Sequence, residues 1–406
     1  MKKKSFLLWS LCVGMSLTAC SDKNELSGME EGEKANLSIK LDLGTPGTRA
    51  AGSTAIPATS WAKIQQVQLF LYDKATKVVR FSDIINPTDA QTTFTYSDVP
   101  VGTYDLVLVA NAKNNNALMT YLDGGTVAAE WTKWNVRQKL ASNMLMKHKP
   151  ATFPSFYTAA MAGKSPYAES AEVFMGEAQN VQVAANTTTN VPAITIKREV
   201  SLMRVRLDVS KGDGTNNTAS DKGVDFTTDA SIMIHRLPND MKILAGTEGG
   251  VNAASTATDI LSIHGSEVFK TADPTSGYNP TQILKDNFTM WRDVVVFPNY
   301  GGRAAGTAPT TDAAPHRRYF IVVSGQGKVG HVLADGTVLD AAKTVYWSGV
   351  VKENFVPNVI REVNLTLQTG GTTTPPVTPT ENGGLQIIVS APAPWDSNIV
   401  DSNIIL

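Results

Sequence analysis

The side chains that could carry acid–base or metal chemistry are dispersed along this sequence. Its five histidines form neither an HExxH motif nor an i, i+4 pair, so their spacing predicts no histidine metal site. A phosphate-binding loop is excluded at Gly163-Lys164-Ser165, because the glycine that such a loop requires five positions earlier is Thr158. The histidines are His148, His235, His264, His316 and His331.

No nucleophile or cofactor motif stands out among the remaining residues. The sequence lacks a G-x-S-x-G elbow, and Asp213-Gly214-Thr215-Asn216 lacks the alternating acidic ligands of a calcium loop. A carboxylate pair for glycoside hydrolysis stays open as an alternative, because such residues can be distant in sequence and meet only in the fold. The sequence therefore predicts a protein with no catalytic residues, no metal and no cofactor.

The composition is that of a folded and nearly neutral protein. Of 406 residues, 42% are hydrophobic and 18% are charged, and the formal net charge is −1. This length suits two domains of about 150 residues each plus tails. A neutral chain has no long-range attraction for a phosphate backbone, so nucleic acid is excluded as an expected partner. Frequent Thr, Val, Ala, Asn and Gly predict a mainly β protein.

The beginning of the chain has the pattern of an export signal. Lysines at 2–4 precede an apolar stretch over 6–17 that is too short to span a bilayer, which predicts a signal peptide over 1–19. The adjoining Leu17-Thr18-Ala19-Cys20 resembles the bacterial lipobox, whose cysteine is acylated, with palmitate as the expected group. We expect a lipoprotein anchored through Cys20. The alternative is an ordinary signal peptide with an incidental cysteine.

The segment over 35–43 alternates between apolar and polar residues, which predicts a strand with one buried face. It is followed by 44–53, a stretch of small residues and Gly/Pro breakers in which Arg49 is the one basic residue. We expect this exposed loop to be open to proteolysis. The apolar face of the strand consists of Leu37, Ile39, Leu41 and Leu43.

Short strand patterns separated by turn clusters predict two β-sandwich domains, over 50–198 and 199–369. In the first domain, residues 94–96, a turn at 99–102 and residues 104–110 predict a hairpin. Residues 112–122 and 139–147 are predicted to be short helices. Further strands are predicted around 67–71, 173–175, 181–183, 191–196, 200–209, 232–234, 293–297, 319–324, 345–351 and 360–367, and long loops over 211–223 and 299–315.

The last part of the chain divides into a Gly/Thr/Pro stretch over 370–384 and an apolar segment over 385–406. The first is predicted to be a semi-rigid spacer that joins no packed sheet. The second needs a place to bury its apolar side chains. Two interpretations stay open: an edge strand of the second domain, or a strand for another molecule. The candidate donor-strand residues are Leu385, Ile387, Val389, Trp395, Ile399, Ile404 and Leu406.

The order of these features resembles that of the Bacteroidota fimbrillins (type V pilins) over essentially the whole chain. The matching segments are the lipobox at 17–20, Thr48-Arg49-Ala50, residues 99–104 leading to Val109-Ala110-Asn111, residues 194–198, and Leu385 to Trp395.

The resemblance implies two transthyretin-like β-sandwich domains with short helical insertions and a C-terminal donor strand. It also implies cleavage between Arg49 and Ala50 by an arginine-specific protease, which removes the strand within 20–49. A neighbouring copy would then fill the vacated groove with its own donor strand, giving an adhesive fimbria on the outer membrane. Accessory fimbrial subunits are further expected partners, and the adhesion ligand is unknown. The alternative function is a lipid-anchored surface binding protein or an accessory tip or anchor subunit.

Overall fold

The structure is a computed structural model that describes residues 33–42, 66–87, 92–111, 117–123, 126–208, 223–238, 240–242, 259–265, 268, 290–299, 318–377 and 383–394. Strands dominate these residues, which confirms the prediction of a mainly β protein. Among the described helices, none is long and apolar enough to cross a membrane.

The first half contains twelve strands and short helical turns among its described residues. The helical turns are α1 (Ser155–Thr158) and two 3-10 turns at Ala141–Asn143 and Ala159–Met161. The strands are β1 (Lys34–Asp42), β2 (Val67–Asp73), β3 (Val79–Ile85), β4 (Thr93–Pro100), β5 (Gly102–Ala110), β6 (Ala117–Asp123), β7 (Thr126–Glu130), β8 (Met144–His148), β9 (Ser165–Tyr167), β10 (Phe174–Val183), β11 (Thr188–Thr195) and β12 (Lys197–Arg198).

The second half continues with eleven described strands. They are β13 (Ser201–Asp208), β14 (Val224–Asp225), β15 (Ser231–His235), β16 (Asp240–Lys242), β17 (Asp259–His264), β18 (Met290–Val296), β19 (Tyr319–Gly327), β20 (Lys343–Val351), β21 (Val359–Leu367), β22 (Leu385–Val389) and β23 (Ala393–Pro394). The predicted loops over 211–223 and 299–315 lie almost wholly outside the described residues.

Each half forms a β-sandwich around its own core. In the first half the sheet β11-β1-β4 faces the sheet β12-β10-β5-β2-β3. In the second half β18-β13-β21-β22 faces β14-β19-β15-β17-β9, with β20 paired to β19. The chain leaves the first sandwich after Arg198, which pairs with Phe174, and enters the second at Ser201, which pairs with Val296.

The two sandwiches repeat one topology. In each, the first strand (β1 or β13) lies between a parallel neighbour (β11 or β21) and an antiparallel neighbour (β4 or β18). The facing sheets also correspond, because the order β10-β5-β2-β3 matches β20-β19-β15-β17. The repeat makes β1 and β13 structurally equivalent strands.

The hairpin predicted at Val99–Gly102 is wrong. β4 pairs with β1 in one sheet, and β5 pairs with β2 and β10 in the other, so the chain crosses between sheets at Val101. The Tyr104 hydroxyl donates a hydrogen bond to the Pro100 carbonyl at 2.9 Å and fixes this corner. A side chain at Gly102 would come within 2.8 Å of the same hydroxyl, which explains the glycine.

The helices predicted at 112–122 and 139–147 are also wrong, because β6 occupies 117–122 and β8 occupies 144–147, with only a 3-10 turn at 141–143. β8 has partners on both sides, β6 and the distant β16, and this pairing outweighs the local pattern. β9 likewise joins the second sandwich by pairing in parallel with β17. A third core contains residues of both halves, including Phe70, Val109, Met146, Leu202 and Val295.

The stretch predicted to be a solvated spacer is packed at both of its ends. Thr372 and Tyr346 exchange two backbone hydrogen bonds, and Ser348 donates one to the Gly383 carbonyl at 2.8 Å. Gly371 has φ +73°, and a side chain there would come within 2.7 Å of the Trp347 ring. The glycines allow the chain to lie against β20, so these residues belong to the fold.

Candidate functional site

The strand β1 lies in the middle of a three-stranded sheet. It pairs in parallel with β11, from Asn36 opposite Thr188 onward, and antiparallel with β4. Its ends are bonded as well: the Leu41 amide donates to the Thr92 carbonyl at 2.8 Å, and the Glu33 carbonyl accepts from Val101 at 2.9 Å. Removal of β1 would therefore leave two strand edges without their partner.

The apolar face of β1 is directed into the first core. Leu37 and Ile39 are 0% exposed and Leu41 is 2% exposed, as the alternation predicted. At about 1.5–3 kcal/mol for each side chain, their burial amounts to roughly 5–9 kcal/mol. The fourth predicted side chain, Leu43, lies outside the described residues.

The walls of the β1 groove come from strands distant in sequence. β4 contributes Phe94 and Tyr96, and β11 contributes Val191 and Ile194, all buried in the same core as β1. The sequence predicted both segments as strands but not their role as walls, because no local pattern reveals which strands flank β1. Cys20, Arg49 and Ala50, the predicted lipidation and cleavage residues, lie outside the described residues.

The first five residues of the predicted donor region pair with a strand of their own subunit. β22 pairs antiparallel with β21, with Leu385 opposite Leu367 and Val389 opposite Val363. Leu385 is buried, while Ile387 and Val389 pack partly buried against the second core. For Leu385–Val389 the edge-strand interpretation is therefore the one that the structure shows. Trp395, Ile399, Ile404 and Leu406 lie outside the described residues.

A crevice of about 660 Å³ opens at the outer edge of β11, where this strand meets β10. Its apolar floor includes Val107, Met175 and Ile194, which are almost fully buried. Its polar rim includes Glu177 and Lys197, which are exposed. The crevice therefore combines an apolar floor with a charged rim.

A buried ion pair adjoins this crevice at the junction of the sandwiches. Arg198 contacts the Glu172 carboxylate, and it donates a hydrogen bond to the Asn358 side chain at 2.8 Å. Burial raises the pKa of Glu172, while Arg198 opposes this shift. The pair connects β12 to the segment before β21 and holds one wall of the crevice.

The surroundings of two buried histidines, His148 and His235, lower the pKa of each. Burial lowers the pKa of His148 to about 3, and its Nδ1 lies 3.0 Å from the Ala168 carbonyl oxygen. Burial also lowers the pKa of His235 to about 3, with a smaller contribution from nearby Lys164 and Arg236. Within the described part of the chain, no cluster of three His, Cys, Asp or Glu residues could hold a metal ion.

Two β-sandwiches with a central first strand define a fold class, which does not by itself give the function. Residues 29–288 match the family model described as "Fimbrillin-A associated anchor proteins Mfa1 and Mfa2". Because the match spans more than half of the chain, this protein belongs to that family. The resemblance to the Bacteroidota fimbrillins is thereby confirmed, and the chain is a fimbrial or adhesin-like subunit.

Three solved structures illustrate what the fold is similar to. A candidate cell adhesion protein from Bacteroides eggerthii is 14% identical, with a TM-score of 0.46 over 90% of this chain and 97% of the other. The fimbrilin from Porphyromonas gingivalis is 14% identical, with a TM-score of 0.41 over 90% and 99%. The tip fimbrial protein Mfa3 from Porphyromonas gingivalis is 9% identical, with a TM-score of 0.36 over 89% and 100%. No curated protein matches this chain.

Proposed function

We propose that this protein is a structural subunit of a surface fimbria and that it polymerises by strand exchange. The central position of β1 carries the proposal, because one strand supplies Leu37, Ile39 and Leu41 to the first core and pairs on both sides. A groove that loses these side chains exposes apolar surface and two strand edges. Both are satisfied when a strand from another copy enters.

β1 is connected in sequence to one other described strand, β2, so a single cut between them would allow β1 to leave. β13 occupies the equivalent position, but it is connected to described strands on both sides in sequence. A single cut between β1 and β2, after Arg49, would instead leave β1 held by noncovalent contacts alone. In this proposal residues 1–19 direct export, Cys20 carries the lipid at the outer membrane, and an arginine-specific protease exposes Ala50 as the new N-terminus.

The donor region is Leu385 to Leu406, and its candidate donor residues after Pro394 are Trp395, Ile399, Ile404 and Leu406. Donor and groove lie at different places on the subunit, so each contact is heterologous and the assembly extends as a filament. The expected partners are other copies, accessory fimbrial subunits and a surface ligand of unknown identity.

Replacement of Arg49 tests the maturation step. Subunits sheared from cells that express Arg49→Ala should lack the Ala50 N-terminus, should retain residues 33–42 by mass spectrometry and should form no filaments. Lys63→Ala is the matched control, since it removes the next basic residue and should leave both cleavage and filaments intact. Filaments that still contain residues 33–42 would refute strand removal as the trigger.

An accessory anchor subunit is the second candidate function, because the matched family model is described by its anchor proteins. A shaft subunit should be distributed along the whole fimbria, whereas an anchor should lie at the cell-proximal end. Immunogold electron microscopy of whole cells distinguishes the two. Labelling confined to the base would replace the shaft assignment with the anchor assignment.

A further inference from the structure

The connection between β19 and β20 folds into a small hairpin over 328–342, which we call the valine hairpin. Val332 and Val338 lie directly opposite each other in its two arms. Beyond this pair the Leu333 amide donates a hydrogen bond to the Thr337 carbonyl at 2.8 Å. Side chains that are directly opposite in an antiparallel pair lie on the same face, so the two valines are neighbours on one face of the hairpin.

The two faces of the valine hairpin are both apolar. Its inner face lies in the second core, where Leu333 is 8% exposed and Leu339 is 3% exposed. An antiparallel hairpin with one buried face should carry polar residues on the other face. Instead Val332 is 43% exposed and Val338 is 57% exposed, and Val329 in the adjoining turn is 69% exposed. Solvation does not explain this choice of side chains.

Exposed alanines extend the outer face into a continuous stretch of small apolar side chains, which we call the hairpin patch. It consists of Val329, Val332, Ala334, Val338, Ala341 and Ala342. Its exposed charged neighbours are Lys328, Lys343, Asp335 and Asp340. These charges balance, so they give the patch no long-range attraction for a strongly charged partner.

The hairpin patch lies at the end of the second sandwich where the donor region begins. His331 Nε2 lies 2.7 Å from the Gly370 carbonyl oxygen. A side chain at Gly370 would collide with the Val332 carbonyl oxygen, so the hairpin and this part of the chain are in close contact. Leu385, the first residue of the donor region, pairs with Leu367 at the same end of β21.

The groove of β1 begins at the opposite end of the molecule. β1 and β11 run toward the junction of the sandwiches, whereas β13 and β21 run away from it. The first residue of β1, Lys34, pairs with Pro100, and the Val101 amide donates a hydrogen bond to the Glu33 carbonyl at 2.9 Å. The side chain of Val101 is 39% exposed there. An exposed apolar side chain therefore lies beside the start of the groove.

We propose, building on the strand-exchange function above, that the hairpin patch packs against the Val101 corner (residues 99–102) of the next copy in the fimbria. The contact joins the end of one second sandwich to the end of the next first sandwich. It places the start of one donor region beside the start of the other copy's groove. Because patch and corner are different surfaces, the contact is heterologous and repeats along a filament.

The size and the surroundings of the patch favour a second copy as its occupant. Six small side chains are far fewer than the roughly 20–30 residues that each partner contributes to a stable interface. The patch alone therefore binds a free protein weakly, but it can orient a copy that a donor strand already holds nearby. A surface that enters lipid would carry large apolar side chains with Lys or Arg around them, whereas this rim includes Asp335 and Asp340.

Photo-crosslinking in assembled protein tests the contact. Equal amounts of unlabelled and ¹⁵N-labelled precursor, with benzoylphenylalanine in place of Val338, are cleaved by an arginine-specific protease and assembled together. The control has the crosslinker at Leu140, an apolar residue that is 46% exposed and lies outside both surfaces. A third protein has it at Thr95, which is paired with Ser38 of β1 and reports strand exchange.

The expected result is mixed-isotope crosslinks from position 338 to residues 99–104 and from position 95 to residues 385–406, with none from position 140. Crosslinks from position 338 within one chain, to another surface or to another protein, or none at all, would overturn the contact. Mixed-isotope crosslinks from position 95 in that case would show that strand exchange stands without it. Crosslinks from position 338 alone would support the end-to-end contact and overturn strand exchange.

A substitution gives an independent readout. Val338→Lys places a charge in the patch and should reduce the yield of trimers and longer assemblies about tenfold, whereas Leu140→Lys should leave the yield unchanged. A labelled peptide of residues 385–406 should bind equally to both cleaved variants, because neither substitution touches the groove. Circular dichroism establishes that each variant is folded. Equal assembly yields, or a loss of peptide binding in Val338→Lys alone, would contradict the proposal.

Discussion

Individual side chains determine how firmly the first sandwich holds β1. Leu37 and Ile39 are fully buried and belong to the same core as Phe94, Tyr96 and Val191, whereas Lys40 on the opposite face is exposed. β1 is therefore held by apolar contacts and by backbone pairing with β11 and β4. Neither of these interactions requires a chemically reactive side chain.

Truncation of one buried side chain should measure this contact. Ile39→Ala should lower the free energy of unfolding of the precursor by about 2–5 kcal/mol, because it removes methyl groups and leaves a cavity. Lys40→Ala should change the same free energy by about 0.5 kcal/mol at most. Urea unfolding followed by tryptophan fluorescence gives both values, and similar values for both variants would contradict the buried position of Ile39.

The buried His148 should make the protein less stable as the pH falls. Its pKa is about 3 in the folded state, against 6.5 when unfolded, so between these values the unfolded chain binds the proton and the folded chain does not. This group alone should lower the unfolding free energy by about 1.4 kcal/mol per pH unit below its unfolded pKa.

Urea unfolding between pH 7 and pH 4.5 measures the slope, and the comparison between variants cancels the other titrating groups. His148→Gln should flatten the slope by about that amount per unit. Equal slopes for the parent and His148→Gln would show that His148 is accessible to protons in the folded state.

The position of a strand within its sheet and its covalent connections along the chain have separate consequences. β1 and β13 occupy equivalent places between a parallel and an antiparallel neighbour, but β13 lies between described strands in sequence. β22 is an edge strand, yet it covers the second core through Leu385. Strand order alone therefore does not separate an exchangeable strand from a permanent one.

Two truncations should separate the two parts of the donor region. Deletion of 395–406 keeps β22 and its pairing with β21, so it should lower the melting temperature less than deletion of 385–406 does. Deletion of 385–406 removes β22 as well, and the loss of Leu385 and its ladder should lower the melting temperature by about 4–8 °C. Calorimetry measures both shifts, and both deletions should prevent assembly. Equal melting temperatures would show that β22 contributes no stability.

At the scale of the whole molecule, the two sandwiches share structure. β8 pairs with β16, β9 pairs with β17, and the third core includes Met146 from the first half and Met241 from the second. The division into domains at 198/199 stays a prediction. These shared elements imply that neither half is complete without the other.

Calorimetry of the precursor should therefore show one unfolding transition, with calorimetric and van't Hoff enthalpies that agree. A fragment over 199–369 should unfold at a lower temperature, because it lacks β8, which pairs with β16, and β9, which is one of the two partners of β17. A fragment as stable as its counterpart in the full chain, or two resolved transitions, would show that the halves are independent.

The sequence by itself determined the mainly β class of the protein and which face of β1 is buried. Alternation at Leu37, Ile39 and Leu41 is a local pattern, and the two faces of a strand follow from a period of two residues. The same reasoning located β2, β4, β5, β10, β11, β13, β15 and β18 to β21, but it missed β3, β6 to β9, β14, β16 and β17. The signal and lipobox patterns are local as well, and the export signal that they indicate stays a prediction.

The tertiary structure alone decided which strands are neighbours. β1 pairs with β11 across most of the first half, and β8 finds β16 in the second half, although no local pattern distinguishes these partners from others. The wrong hairpin and the wrong helices have this cause, because pairing at long range outweighed the local preference. The pairing of β22 with β21 likewise depends on how the sheets are completed, which is a property of the assembled fold.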